Sequence, residues 1–165
     1  MKKSIVVLLA VISFAISLSI PFATAFAQKD SLVSSNSSDK ISINGFRNPS
    51  IGAEYQRGAF SVHAGYYITA LEKGVTTQFV KVGVTHWVFP TDKKEVPSSF
   101  YISASYLRGF NNDHKDENAL GMEIGYRYTI IKGLNVRLGV MALASPNQTL
   151  KINPTPGISY TFNLN

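Results

Sequence analysis

The chain has no cysteine, which removes disulfide frameworks and thiolate metal sites from consideration. A folded form must therefore rest on a core, on strand pairing or on a membrane. Long apolar runs are scarce as well. One occupies residues 5–20, and nothing after it approaches the roughly 20 residues that a membrane-spanning helix requires. A helical membrane protein is thereby excluded. The chain carries a formal charge of +6, but its basic residues are scattered. No basic stripe with interleaved aromatics occurs, so nucleic-acid binding is not supported. Helical periodicity is missing from everything beyond the N-terminal run, and no fixed-length repeat is present.

What the sequence does contain begins with Lys2 and Lys3, the apolar run, a break at Pro21 and then Ala25-Phe26-Ala27. A positive start, an apolar middle and a small-x-small site form the pattern of a cleaved secretory signal. Residues 1–27 are read as that signal. Its loss leaves about 138 residues and a charge of about +4. Residues 28–39 (QKDSLVSSNSSD) are polar and Ser-rich, the composition of a flexible leader.

From Lys40 onward the period changes to two. The clearest segment is residues 120–130, with Leu120, Met122, Ile124, Tyr126, Tyr128 and Ile130 on one face. Gly121, Glu123, Gly125, Arg127 and Thr129 lie on the other. Strict alternation marks a strand with two unlike faces, and about eleven residues suffice for a tilted strand to cross a bilayer. Residues 134–143 and the C-terminal run from Gly157 repeat the pattern. Residues 50–57, 60–69, 78–89 and 99–109 follow it less regularly. Tight turns are expected at Gly58 and Gly133, where glycine tolerates positive φ. Longer loops are expected at residues 70–77 and 110–117, with an intermediate one at 90–97. If the tight turns share one end, a further strand must precede residue 50. Residues 40–45 supply it, with Arg47-Asn48-Pro49 as an outside loop. The count becomes eight strands in residues 40–165.

The polar face separates a membrane barrel from a soluble sandwich, in which that face meets water. The lumen of a small barrel needs small residues and charges that neutralise one another. Here the face carries seven glycines, several serines, and Glu54, His63, Lys81, Glu123, Arg127 and Arg137, which are read as a lumen polar network. The opposite face is apolar. Tyr55, Phe60, Phe100, Tyr128, Tyr160 and Phe162 sit toward strand ends, as in an interfacial girdle. His86 falls on this apolar face. The fold class is therefore all-β, an eight-stranded antiparallel up-and-down transmembrane β-barrel, with a soluble periplasmic barrel or sandwich as the alternative.

With its signal, its alternating segments and its aromatic C-terminal strand (residues 158–165, ISYTFNLN), the chain resembles the small outer-membrane β-barrel superfamily, the OmpA and OmpX group. The resemblance implies residence in the bacterial outer membrane, contact with outer-membrane lipid, insertion by the barrel assembly machinery through the last strand, and a monomer. It implies little about activity.

Candidate chemistry is sparse. A two-residue loop at Gly58-Ala59 sets Glu54 across from His63, with Ser61 on the same face. A hydrolase triad would use those residue types, whereas a buried polar pair needs nothing more. The pair is read as structural and the chain as no enzyme, with a lipid-modifying hydrolase as the remote alternative. His114, with Asp113, Asp116 and Glu117, matches no defined cation loop. No metal or cofactor is expected. The functional expectation is a structural or interaction barrel of the envelope. The alternatives are a narrow passive channel and a soluble binder of a small apolar ligand.

Overall fold

The computed structural model describes residues 39–46, 48–72, 75–110, 117–146 and 149–164. The expected signal and nearly all of the expected leader lie outside the described residues. So do Arg47, Asp113, His114 and Asp116.

The described residues form strands and connections, without a helix. The strands are β1 (Asp39–Phe46), β2 (Ile51–Arg57), β3 (Phe60–Glu72), β4 (Val75–Pro90), β5 (Ser99–Gly109), β6 (Asn118–Ile131), β7 (Leu134–Ala144), β8 (Lys151–Pro154) and β9 (Gly157–Leu164). Each pairs antiparallel with its sequence neighbour from β1 through β7. Strand β9 returns to β1, with Ile41 opposite Phe162 and Ile43 opposite Tyr160, and also pairs with β7. The sheet is closed.

Segments β8 and β9 are two halves of one strand. Val140 faces Pro154 and Arg137 faces Gly157 in an unbroken register against β7. The ladder is carried across the gap by the Thr155 amide, which donates to the Gly139 carbonyl at 2.8 Å. Pro156 follows and has no amide to donate. Counted this way the barrel has eight strands, in up-and-down order, as the period-two pattern requires.

The faces follow from alternation. Even-numbered residues of β6 point out, with Ile124 64% exposed, while Glu123 and Arg127 are buried. The same holds around the barrel. Ile43, Val62, Val84, Ile102, Leu138 and Ile158 are exposed on the outer surface. Tyr55, Phe60, Phe100, Tyr128, Tyr160 and Phe162 also point outward. Other aromatics, Tyr106 and Phe110, mark the opposite rim, where Tyr66 and Phe110 rings lie 5.5 Å apart. His86 stays in phase on the outer surface and stacks on Phe60 at 4.5 Å.

Two expectations require correction. Residues 70–77 are not a long loop. Strand β3 continues to Glu72 and β4 begins at Val75, because backbone pairing continues through polar Thr76 and Thr77. The connection after β1 lies at the end opposite the tight turns, as expected, and folds inward. Asn48 and Pro49 are both buried, since Asn48 finds ionic partners in the lumen. Asp39, expected in the leader, is the first residue of β1 and pairs with Leu164.

Candidate functional site: the filled lumen

The inward side chains form three layers. The middle layer is ionic. Arg137 on β7 reaches Glu54 on β2, with Nη2 to Oε2 at 2.6 Å. Lys81 on β4 reaches Glu123 on β6 at 3.3 Å. In a low-dielectric interior each carboxylate needs all its lone pairs engaged, and the strands deliver the donors. Tyr101 donates to Glu123 at 2.7 Å, Thr155 at 2.9 Å and Asn48 at 2.8 Å. The carbonyl oxygen of the same Asn48 side chain accepts from Lys81 at 3.0 Å. Asn48 therefore bridges both members of one ion pair from the β1–β2 connection. Its neighbour Pro49 packs against the glycines at positions 52 and 65. A Cβ added at either would come within 2.7 to 2.9 Å of that proline.

The second layer lies toward the tight turns at Gly58 and Gly133. The Trp87 ring sits under two guanidinium groups, Arg127 at 3.7 Å and Arg137 at 4.9 Å from its centroid. Such stacking offsets part of the cost of burying a cation. Arg127 donates to Gln56 at 3.1 Å and to the Pro97 carbonyl at 3.2 Å. The loop at 91–98 folds across this mouth. Val96 is 5% exposed, Lys94 donates to the Thr129 carbonyl at 2.6 Å, and the Thr129 amide donates to Ser98 at 3.1 Å. Within the loop, Asp92 accepts from the Ser98 hydroxyl at 2.7 Å and from the Ser98 and Lys94 amides. Burial pushes its carboxyl up, but these bonds outweigh it and hold the group below the ordinary carboxylate range.

The third layer, at the opposite end, is apolar. Tyr67, Phe79, Leu107, Ala119, Met141 and Leu143 pack as one cluster. Chain or side chains thus occupy the lumen at every level of the described barrel.

The six residues read from the sequence as a lumen network all face inward, but they do not act as one group. Glu54, Arg137, Lys81 and Glu123 make two ion pairs, and Arg127 makes none among the described residues. His63 lies directly opposite Glu54 in the β2–β3 register, yet its ring nitrogens engage Ser105 at 3.1 Å and Thr85 at 3.2 Å. Ser61 donates to Glu54 instead and accepts from Trp87 Nε1 at 2.9 Å. The serine–histidine–carboxylate order of a hydrolase is not assembled. No group of three His, Asp or Glu side chains close enough to hold a metal occurs among the described residues. The sequence pattern puts Gln56, Trp87 and Tyr101 on the inward parity of their strands but gives no sign of their role as lumen partners, and Thr155 falls in none of the expected strands. Asn48 left no such signal, because a loop has no parity.

Comparison with protein-family models, with curated proteins and with solved structures finds no match.

Proposed function

We propose that this chain is a plugged outer-membrane β-barrel of the bacterial envelope, with a structural or interaction role and not a catalytic one. The observation that carries the reading is the outer surface of the closed barrel. Away from the strand ends, where Arg57 and Arg108 lie, its strand positions are aliphatic and aromatic around the circumference, with charge turned inward. A water-soluble barrel would bury that face or cover it. The outward positions from Ile152 to Leu164 span about 30 Å along the axis at about 3.3 Å per residue and a tilt of about 40°. A hydrocarbon core has that thickness. Closure of the sheet also leaves no long edge unpaired in lipid. On this reading the partners are outer-membrane lipid and, during insertion, the barrel assembly machinery acting on β9, and the barrel stands as a monomer.

The filled lumen favours a plug over a channel. The decisive test is fractionation of cells expressing the full chain, with gel migration before and after heating. Recovery in the outer-membrane fraction with a heat-dependent shift is expected. A mature chain that stays dissolved and compact without detergent overturns the reading.

A further inference from the structure

The carboxylates at the tight-turn end are all committed. Glu54 holds Arg137 at 2.6 Å. Asp92 holds Lys94 at 3.6 Å and the Ser98 hydroxyl. Glu95 lies 3.9 Å from Lys132 and accepts from Asn163. Asp39 lies 3.7 Å from Arg57. Deeper in the lumen, Glu123 is held by Lys81. Two inward-facing cations are left over at this mouth.

The first is Arg127, 1% exposed. Its Nη groups find only neutral acceptors, Gln56, Pro97 and Ser99, and its Nε has no acceptor. The second is Lys40, on the inward parity of β1 and half-buried at the rim. Its ammonium makes no hydrogen bond or ion pair with the described residues, although the charge of Glu95, held by Asn163 opposite Lys40, acts on it at longer range. Both flank one side chain, since Gln56 is opposite Lys40 in the β1–β2 register and accepts from Arg127 at 3.1 Å. On its other side Lys40 faces Asn163.

We propose that Lys40 and Arg127 form a binding site for a small inorganic anion at the tight-turn mouth of the barrel. A guanidinium buried without a carboxylate is stabilised by any anion that can approach it. Lys40 is the more exposed of the two and supplies the second charge. The near-complete burial of Arg127 favours a compact ion over a large one. The proposal requires the closed barrel only. It stands or falls independently of membrane location.

Trp87 is the chain's single tryptophan and lies 3.7 Å beneath Arg127, so its emission reports on the site. The refolded full-length barrel in detergent would be titrated with sodium phosphate and with sodium chloride. Sodium gluconate would hold ionic strength constant and serve as the bulky control. A saturable change in Trp87 emission with phosphate or chloride, and none with gluconate, is expected. Lys40→Gln should weaken it at least about tenfold, the worth of one charge-assisted hydrogen bond. Lys93→Gln, which removes an exposed loop charge, should leave it unchanged. Equal effects of all three anions would mean screening alone and would overturn the site. So would undiminished binding in Lys40→Gln, whose folding the heat-dependent gel shift checks separately.

Discussion

Each inward charge is placed by one parity rule, and Glu54, Arg137, Lys81 and Glu123 are kept by ionic partners. Glu54 and Arg137 come from strands on opposite sides of β1 and meet at 2.6 Å, both almost out of solvent. Removing one member strands the other, which costs more than the pair contributes. Glu54→Gln is expected to destabilise the barrel by about 3–5 kcal/mol, read as a lower urea midpoint. Replacing both residues with methionine should recover most of the loss, because no uncompensated charge remains. If the double variant were as unstable as the single one, shape and not charge would be the contribution of the pair. The identities of the lumen residues were legible in the sequence for this reason: alternation assigns a side without knowledge of the fold. Their pairing was not legible. Glu54 faces His63 across β2–β3, and that register suggested a carboxylate–imidazole pair. The carboxylate instead turns across the lumen to Arg137, whose strand is distant in sequence and, with β1 and β9 between it and β2, faces Glu54 only after closure.

At the scale of elements, strands with strict alternation declared their own limits. Residues 99–109 and 134–143 are strands within a residue of the reading. Errors gathered where polar residues continue a ladder, as at Thr76 and Thr77, or where proline interrupts one, as at Pro154 and Pro156. The loop at 91–98 was legible only in length. Its role depends on contacts to β6 and β9 that no local pattern encodes. Asp92 organises this loop, and its lowered pKa gives the sign of the pH effect. A depressed carboxyl contributes stability above its unfolded-state value, near the ordinary aspartate value of 3.8, and loses it as pH falls through the lower folded value. Amide exchange at Lys94 and Ser98, corrected for the intrinsic pH dependence, should stay slow at pH 6 and quicken below pH of about 3. Asp92→Ala should show the fast behaviour at both. Protection that ignored both pH and the substitution would show that Val96 packing, not the carboxylate, holds the loop.

For the whole molecule, one period gives the barrel two unlike faces. The outer face is apolar, and the inner face is polar in its centre and apolar again around Leu107 and Met141. The obstructions lie in series. Asn48 and the two ion pairs fill the middle, while Trp87, Arg127 and Val96 fill the tight-turn mouth. A conducting path would have to remove these and the apolar cluster around Leu107 and Met141, because barriers in series conduct no better than the least permeable of them. Replacing residues 91–98 with a two-residue Asn-Gly turn uncovers the mouth and leaves the Glu54–Arg137 and Lys81–Glu123 layer intact. Planar bilayers containing this variant are therefore expected to stay as silent as those containing the unmodified barrel. Discrete openings from the shortened variant alone would move the seal from the lumen to the loop. In that case the buried charges would line a permeation path, and the plug would be a lid.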